Sequence, residues 1–391
     1  MRPLFLVLAA ASCRASPEPM TPFDDDVAFL KENVEVLVLS DGAARVAVVP
    51  EYQGRVMTST SGSTSYGWLN RSAIDDGERQ PHINVFGGED RFWLGPEGGQ
   101  FSIFFEEGAS FDLEHWQTPE PIDWGAWTLA DGDSRRATFR KAISLVNYSG
   151  TAFSLDAERT IRVLARDELD LDVPSDVNVV AFESENTITN TGEEAWAKET
   201  GLLSIWILGM FKPSPTTTVA IPFLSGPEDE LGPIVNDAYF GKVPEGRLRI
   251  GDGVLYFRGD GEYRSKIGIS RRRARPWMGS YDSSGGVLTL VKYTLPDDAV
   301  DYVNSMWEIQ DDPFAGDVVN SYNDGPPAPG AKPLGPFYEL ESSSPAAALA
   351  PGESFTHVHR TYHFEGSPAA LDAIARATLS VGIETIATAF E

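Results

Sequence analysis

From Val34 onward the chain repeats short runs in which apolar and polar residues alternate, the period of two that half-buried strands impose. The first, 34–40 followed by Asp41-Gly42 and then 44–49, predicts a hairpin closed by a two-residue turn. Further runs predict strands over 100–105, 137–145, 152–163, 169–173, 177–189, 201–208 and 218–221. The pattern continues over 247–257, 266–269, 287–293, 302–309, 337–340 and 354–364. Thirty-six glycines and twenty-seven prolines punctuate these runs, as the turns of a large antiparallel architecture require. Only two stretches have helical spacing. Asp24 is placed to cap a short helix reaching Asn33, and 368–379 puts Leu371, Ile374, Ala375 and Leu379 on one face. The expected class is therefore all-β, one large sandwich over 33–391 with a short N-terminal and a C-terminal helix. The Pro/Gly-rich stretch 324–336 lies between core-like runs and reads as a long loop, not a domain boundary.

The first residues follow another pattern. Arg2, an apolar run from Leu4 to Ala11 and Ser12 lead to Cys13, the only cysteine in 391 residues. One cysteine forms no internal disulfide. This arrangement reads as a bacterial lipoprotein signal over 1–13, with Cys13 lipidated and 14–32 forming a tether and the short helix. The apolar run is well short of the ~20 residues that a membrane span needs. The expectation is an exported protein, periplasmic or at the cell surface, held to a membrane by its lipid anchor.

Composition narrows the partners. A hydrophobic content of 42% excludes global disorder, and 58 acidic against 31 basic residues give a net charge of −27. Such a surface repels phosphate backbones, so no nucleic-acid partner is expected.

Six clusters carry candidate chemistry. In 82–100, His82, Glu89, Arg91, Trp93 and Glu97 sit among glycines. Tryptophan offers a face for a sugar ring, and the charged groups can grip hydroxyls. His115-Trp116 with Trp124 and Trp127 reads equally as a carbohydrate cleft or as core. The oxygen-rich segment 316–325 can hold Ca²⁺ but is favoured as a turn. Glu339 and Glu341 share one face of a strand, where like charges disfavour joint ionisation. His357, His359 and His363 also share a face, with Zn²⁺ as the metal to test. Ca²⁺ and Zn²⁺ remain minor alternatives, and the expectation is no cofactor. Arg264, Lys266, Arg271, Arg272, Arg273 and Arg275 form a basic island, read as a solvated turn with an acidic-sugar site as the alternative.

Taken in order, several segments resemble the galactose-mutarotase-like (aldose 1-epimerase-like) superfamily. They are Gly54-Arg55-Val56, the loop Gly87-Gly88-Glu89 to Glu97, and His115 with Trp127. Asn186 to Gly192 and Glu339-Leu340-Glu341 with Pro351-Gly352-Glu353 complete the set. The resemblance implies a β-supersandwich that binds carbohydrate. It further implies Glu339 as catalytic base and Glu89, Arg91, Trp93, Glu97 and Glu341 around the substrate. The chain departs from the superfamily where aldose epimerases place a catalytic histidine, since 198–206 contains none. The acid then falls to His82, His115 or a lysine. An epimerase-like or glycan-active enzyme is one reading; the others are a non-catalytic glycan-binding lipoprotein and a structural envelope component.

Overall fold

The computed structural model describes residues 20–391. The signal read over 1–13, Cys13 itself and the start of the tether lie outside the described residues. Among those residues, eighteen strands form three sheets. The smallest joins β1 (Leu37–Asp41), β2 (Ala44–Val49) and β3 (Arg55–Thr60). Asp41 pairs with Ala44, so the hairpin turn is Gly42-Ala43, one residue later than the sequence pattern suggested. Gly42 takes φ +62°, a conformation that glycine adopts without steric cost.

The five-stranded sheet contains β4 (Arg91–Gly95), β9 (Ser204–Phe211), β13 (Ser265–Ser270), β16 (Asp317–Asn323) and β17 (Tyr338–Ser343). Its order is β13-β16-β17-β9-β4, antiparallel throughout. The ten-stranded sheet begins with β11 (Leu248–Ile250), β12 (Val254–Arg258), β10 (Thr217–Pro222), β14 (Trp277–Asp282) and β15 (Val287–Tyr293). It continues through β18 (Ser354–Glu365), β8 (Asn178–Asn190), β7 (Ala152–Val163), β6 (Arg136–Val146) and β5 (Thr128–Gly132).

These two sheets pack face to face. Ile205 and Ile207 of β9 share a core with Phe182 and Ile188 of β8, and Leu340 of β17 shares one with Met278 and Val291. The small sheet continues the five-stranded layer through a bridge from Val56 to Asp90. On the outer face of the ten-stranded sheet, helix Pro368–Leu379 buries Leu371, Ile374, Ala375 and Leu379 against Leu288, Leu290, Tyr362 and Phe364. Each large apolar side chain so buried contributes roughly 1.5–3 kcal/mol. A second short helix, Ile383–Ala387, follows it.

Several sequence expectations need correction. The N-terminal helix, Pro22–Asn33, is capped by Thr21, whose hydroxyl accepts from the Asp24 amide, so Asp24 is a first-turn acid. Segments 100–105, 169–173 and 302–309 are not strands. In the first, Ser102 and Ile103 donate to Gly99 and Pro96, so local turns consume the bonds a ladder would need. Its apolar residues Ile103, Phe104 and Phe105 are nevertheless buried, which explains their pattern. The oxygen-rich segment read as a turn is instead strand β16.

Candidate functional site

The outer face of the five-stranded sheet forms the floor of a cleft. Alternation along β17 sends Glu339 and Glu341 outward and Leu340 inward, and register brings their neighbours beside them. Glu339 lies opposite Tyr322 and Met210, and Tyr322 lies opposite Lys266. Glu341 lies opposite Asn320 and Leu208, and Leu208 pairs with Arg91. Trp93 faces Trp206 one step along.

Two contacts between a basic side chain and a carboxyl cross this floor. Arg91 Nη2 donates to Glu339 Oε1 at 3.0 Å, and Lys266 Nζ donates to Glu341 Oε2 at 3.0 Å. The Trp206 indole donates to the same Glu341 oxygen at 2.9 Å. Both cations also lie over tryptophans, Arg91 at 4.0 Å from the Trp93 ring and Lys266 at 4.5 Å from Trp206. Burial pushes the Glu339 carboxyl up to about 8, outweighing the opposing pull of Arg91. Glu97 is also raised, chiefly by burial, with Lys266 opposing.

The floor keeps unused polar capacity. Arg91 Nε and Nη1, Glu341 Oε1 and the indole nitrogens of Trp93 and Trp116 are buried without a protein partner. Buried donors and acceptors left open cost about 1–3 kcal/mol each, and those that border the cleft are available to a polar ligand.

Above the floor the cleft has two adjoining parts. The inner part, of about 70 Å³, reaches Arg91, Trp93, Lys266 and Glu339. The outer part, of about 350 Å³, lies between Trp116, Trp307 and the 324–334 loop. Glu97, Arg264 and Trp116 border both. Exposed His82 lines the outer part. Its Nδ1 lies 2.6 Å from the Trp116 carbonyl, which can only accept, so that nitrogen carries the proton and Nε2 is free.

The structure thus brings together Arg91, Trp93, Glu97, Glu339 and Glu341, with His82 at the rim. Glu89 and His115 lie elsewhere. Gly87 and Gly88 take φ of +92° and +106° in the irregular segment before β4. Glu89 and Asp90 both turn into the sandwich, Glu89 accepting from the Ser59 amide at 2.6 Å and pairing with His363 Nε2 at 2.8 Å. His115 is surface-exposed, 2.7 Å from Asp112, which raises its pKa, and it borders a separate groove.

The other clusters resolve differently. His357 Nε2 and His359 Nδ1 both meet Ser342 Oγ, at 2.9 and 2.8 Å, and burial pushes both imidazoles down to about 3. Among the described residues, no group of three or more His, Cys, Asp or Glu side chains is arranged to hold a metal ion. The basic island divides. Arg264 and Lys266 face the cleft, while Arg273 is buried and donates to the carbonyls of Leu224, Gly226 and Gly232. Trp116 joins the cleft, whereas Trp127 is core. Trp206 and Trp307 are site residues that the sequence reading did not select, and Lys266 was selected only as part of the basic island.

The family model described as "Family of unknown function (DUF6786)" matches residues 21–390. No curated protein matches the sequence. Among solved structures, the chain is similar to a putative aldose 1-epimerase from Escherichia coli K12. They share 14% identity over 85% of this chain and 99% of that one, with a TM-score of 0.51. It is also similar to the Slr1438 protein from Synechocystis sp. PCC 6803, at 13% identity over 85% and 96%, with a TM-score of 0.52. Identities this low establish fold alone. The chain belongs to the DUF6786 family and has the galactose-mutarotase-like β-sandwich fold.

Proposed function

We propose that the cleft binds a carbohydrate and that Glu339 is its principal acid–base group. The observation that carries this reading is the convergence of a raised carboxyl, an arginine with open donors and a set of tryptophans on one concave floor. Tryptophan faces suit the apolar faces of a sugar ring, and the open polar atoms suit its hydroxyls. Anomeric ring opening needs a proton delivered to the ring oxygen and another taken from the anomeric hydroxyl. A carboxyl near pKa 8 can give and recover a proton around neutral pH. Glu97, which borders the same inner space, is the better partner for it than His82 at the rim. His115 has no part in this reading.

The competing reading is a non-catalytic glycan-binding protein. It is favoured by the grip of Arg91 on Glu339 and by the absence of histidine from the inner part among the described residues. NMR exchange spectroscopy on aldohexose anomers separates the two. Glu339→Gln is expected to slow exchange by roughly a hundredfold or more while saturable binding persists, and His115→Ala to leave the rate unchanged. Binding without exchange in the unaltered protein, lost in Trp93→Ala, selects the non-catalytic reading.

We also propose that Cys13 is lipidated and holds the cleft at a bacterial envelope. Cys13→Ser is then expected to abolish radiolabelled palmitate incorporation and release the protein from membranes. A membrane-bound, unlabelled wild type would reject the anchor.

A further inference from the structure

The two parts of the cleft differ in what they leave open. Around the inner part, Arg91, Glu341 and Trp93 keep unpartnered polar atoms. Around the outer part the lining surface is mostly apolar, with His82, Glu97, Arg264, Asp324 and Lys332 as its polar members. Asp324 accepts from the Tyr322 hydroxyl at 2.6 Å and from the Gly335 amide at 2.8 Å. Arg264 lies flat over Phe240 at 3.8 Å, and His82 donates to a carbonyl. Its apolar walls are Ile83, Leu113, Trp116, Trp307, Pro327 and Leu334. Trp116 and Trp307 lie nearly parallel, with ring centroids 6.0 Å apart.

Size adds a second argument. The inner part, about 70 Å³, is the narrower and takes the polar edge of a ligand, whereas the outer part, about 350 Å³, has the room for a further group attached to it. At the mouth stand Leu113 and Leu334, 51% and 45% exposed, large apolar residues that a bare sugar gives no reason to place there.

We infer that the ligand is a sugar bearing an apolar aglycone, with the sugar's polar edge on the Arg91–Glu339 floor and the aglycone against Trp116, Trp307 and Leu113. This rests on the reading that the cleft binds carbohydrate. The occupant is an alkyl or aryl group on the sugar, because the outer walls are mostly apolar and Leu113 and Leu334 stand exposed at the mouth; a second sugar ring is the outcome that the disaccharides test.

The test is calorimetry on the full chain with methyl, octyl and phenyl glycosides of glucose, galactose and mannose, and with cellobiose and lactose. Octyl glycosides are kept below their micelle concentration. For the sugar that binds, the octyl or phenyl glycoside is expected to bind at least about tenfold tighter than the methyl glycoside, a gain that burying two methylenes already supplies. Leu113→Ser should shrink that ratio, and Leu113→Asp should shrink it further. Equal affinity for methyl and octyl glycosides overturns the inference and leaves the carbohydrate reading standing. So does a gain that survives both substitutions, or a disaccharide that gains as much as the octyl compound. If none of the sugars binds, both readings fall.

Discussion

On its outer face β17 carries Glu339 and Glu341 to the floor of the cleft; on its inner face Leu340 and Ser342 meet the ten-stranded sheet. Both faces bury ionisable chemistry, and on both burial favours the uncharged form. It pushes Glu339 up to about 8 and His357 and His359 down to about 3. The surroundings then separate the outcomes. Ser342 has one hydroxyl proton, so it donates to one imidazole and accepts from the other, and the trio ties two sheets together. Glu339 borders a cavity where Arg91 keeps two open nitrogens. Desolvation alone therefore does not mark a reactive group; desolvation beside space that a ligand can enter does.

The largest effect should come from the closed interior. Arg159 and Asp90 pair with both side chains fully buried, and Arg159 also donates to the Asp90 carbonyl at 2.9 Å. Asp90→Asn leaves a buried guanidinium without its counter-charge, which should cost about 3–5 kcal/mol in urea unfolding. Glu339→Gln breaks a pair of similar depth, but there Arg91 borders a cavity that water can enter. Its cost should be clearly smaller, about 1–2 kcal/mol. Equal losses in the two variants would erase the distinction between interior and cleft.

Ligand affinity should show the reverse order. Arg91→Met removes the open donors of the floor and should weaken sugar or glycoside binding by roughly tenfold to a hundredfold, the worth of one or two charge-assisted hydrogen bonds. Asp90→Asn, in the fraction that stays folded, should bind nearly as wild type. Isothermal titration on both proteins decides, and unchanged affinity in Arg91→Met would remove that floor from the binding site.

How far the sequence revealed this depended on parity and on what interrupts it. The period of two placed Glu339 with Glu341, and His357 with His359 and His363, on shared faces, as the structure has them. It did not say what each face meets. Nothing near His357 in the chain announces Ser342, which reaches it only through sheet packing. Glu89 and Arg91 are two apart, which on one regular strand puts them on one face. The chain is irregular just before β4, where Gly88 takes φ +106° and Glu89 and Asp90 both face inward. Gly88 is fixed there by space as well, since a Cβ would lie 2.7 Å from the Arg55 side chain and 2.8 Å from the Val56 carbonyl. The adjacent pair His115-Trp116 split in the same manner, one to solvent and one to the cleft. Strand faces were thus legible within regular elements, and the site was misread where turns reset the phase.

A last test sets the two faces of β17 against each other through pH. His357 and His359 titrate at about 3 when folded against ~6.5 unfolded, so below about 6.5 the unfolded chain binds more protons. Their stabilisation is complete above that pH and is lost as pH falls toward 3. Glu339 runs the other way. Folded at about 8 against ~4.3 unfolded, it binds the extra proton in the native state. Its contribution is complete below about 4.3 and is lost as pH rises to 8. Between pH 6.5 and 8 the histidines are silent and Glu339 alone of the three changes charge. Urea midpoints at pH 5, 6.5 and 8 should therefore show His357→Gln with a flatter acid limb than wild type. Glu339→Gln should lose ground to wild type at pH 5 and recover it by pH 8. A Glu339→Gln difference that stays constant from pH 5 to 8 would mean its carboxyl is already ionised in the fold. The cleft face of β17 would then hold its charge as Arg91 dictates, and the proton that the acid–base reading requires would not be there.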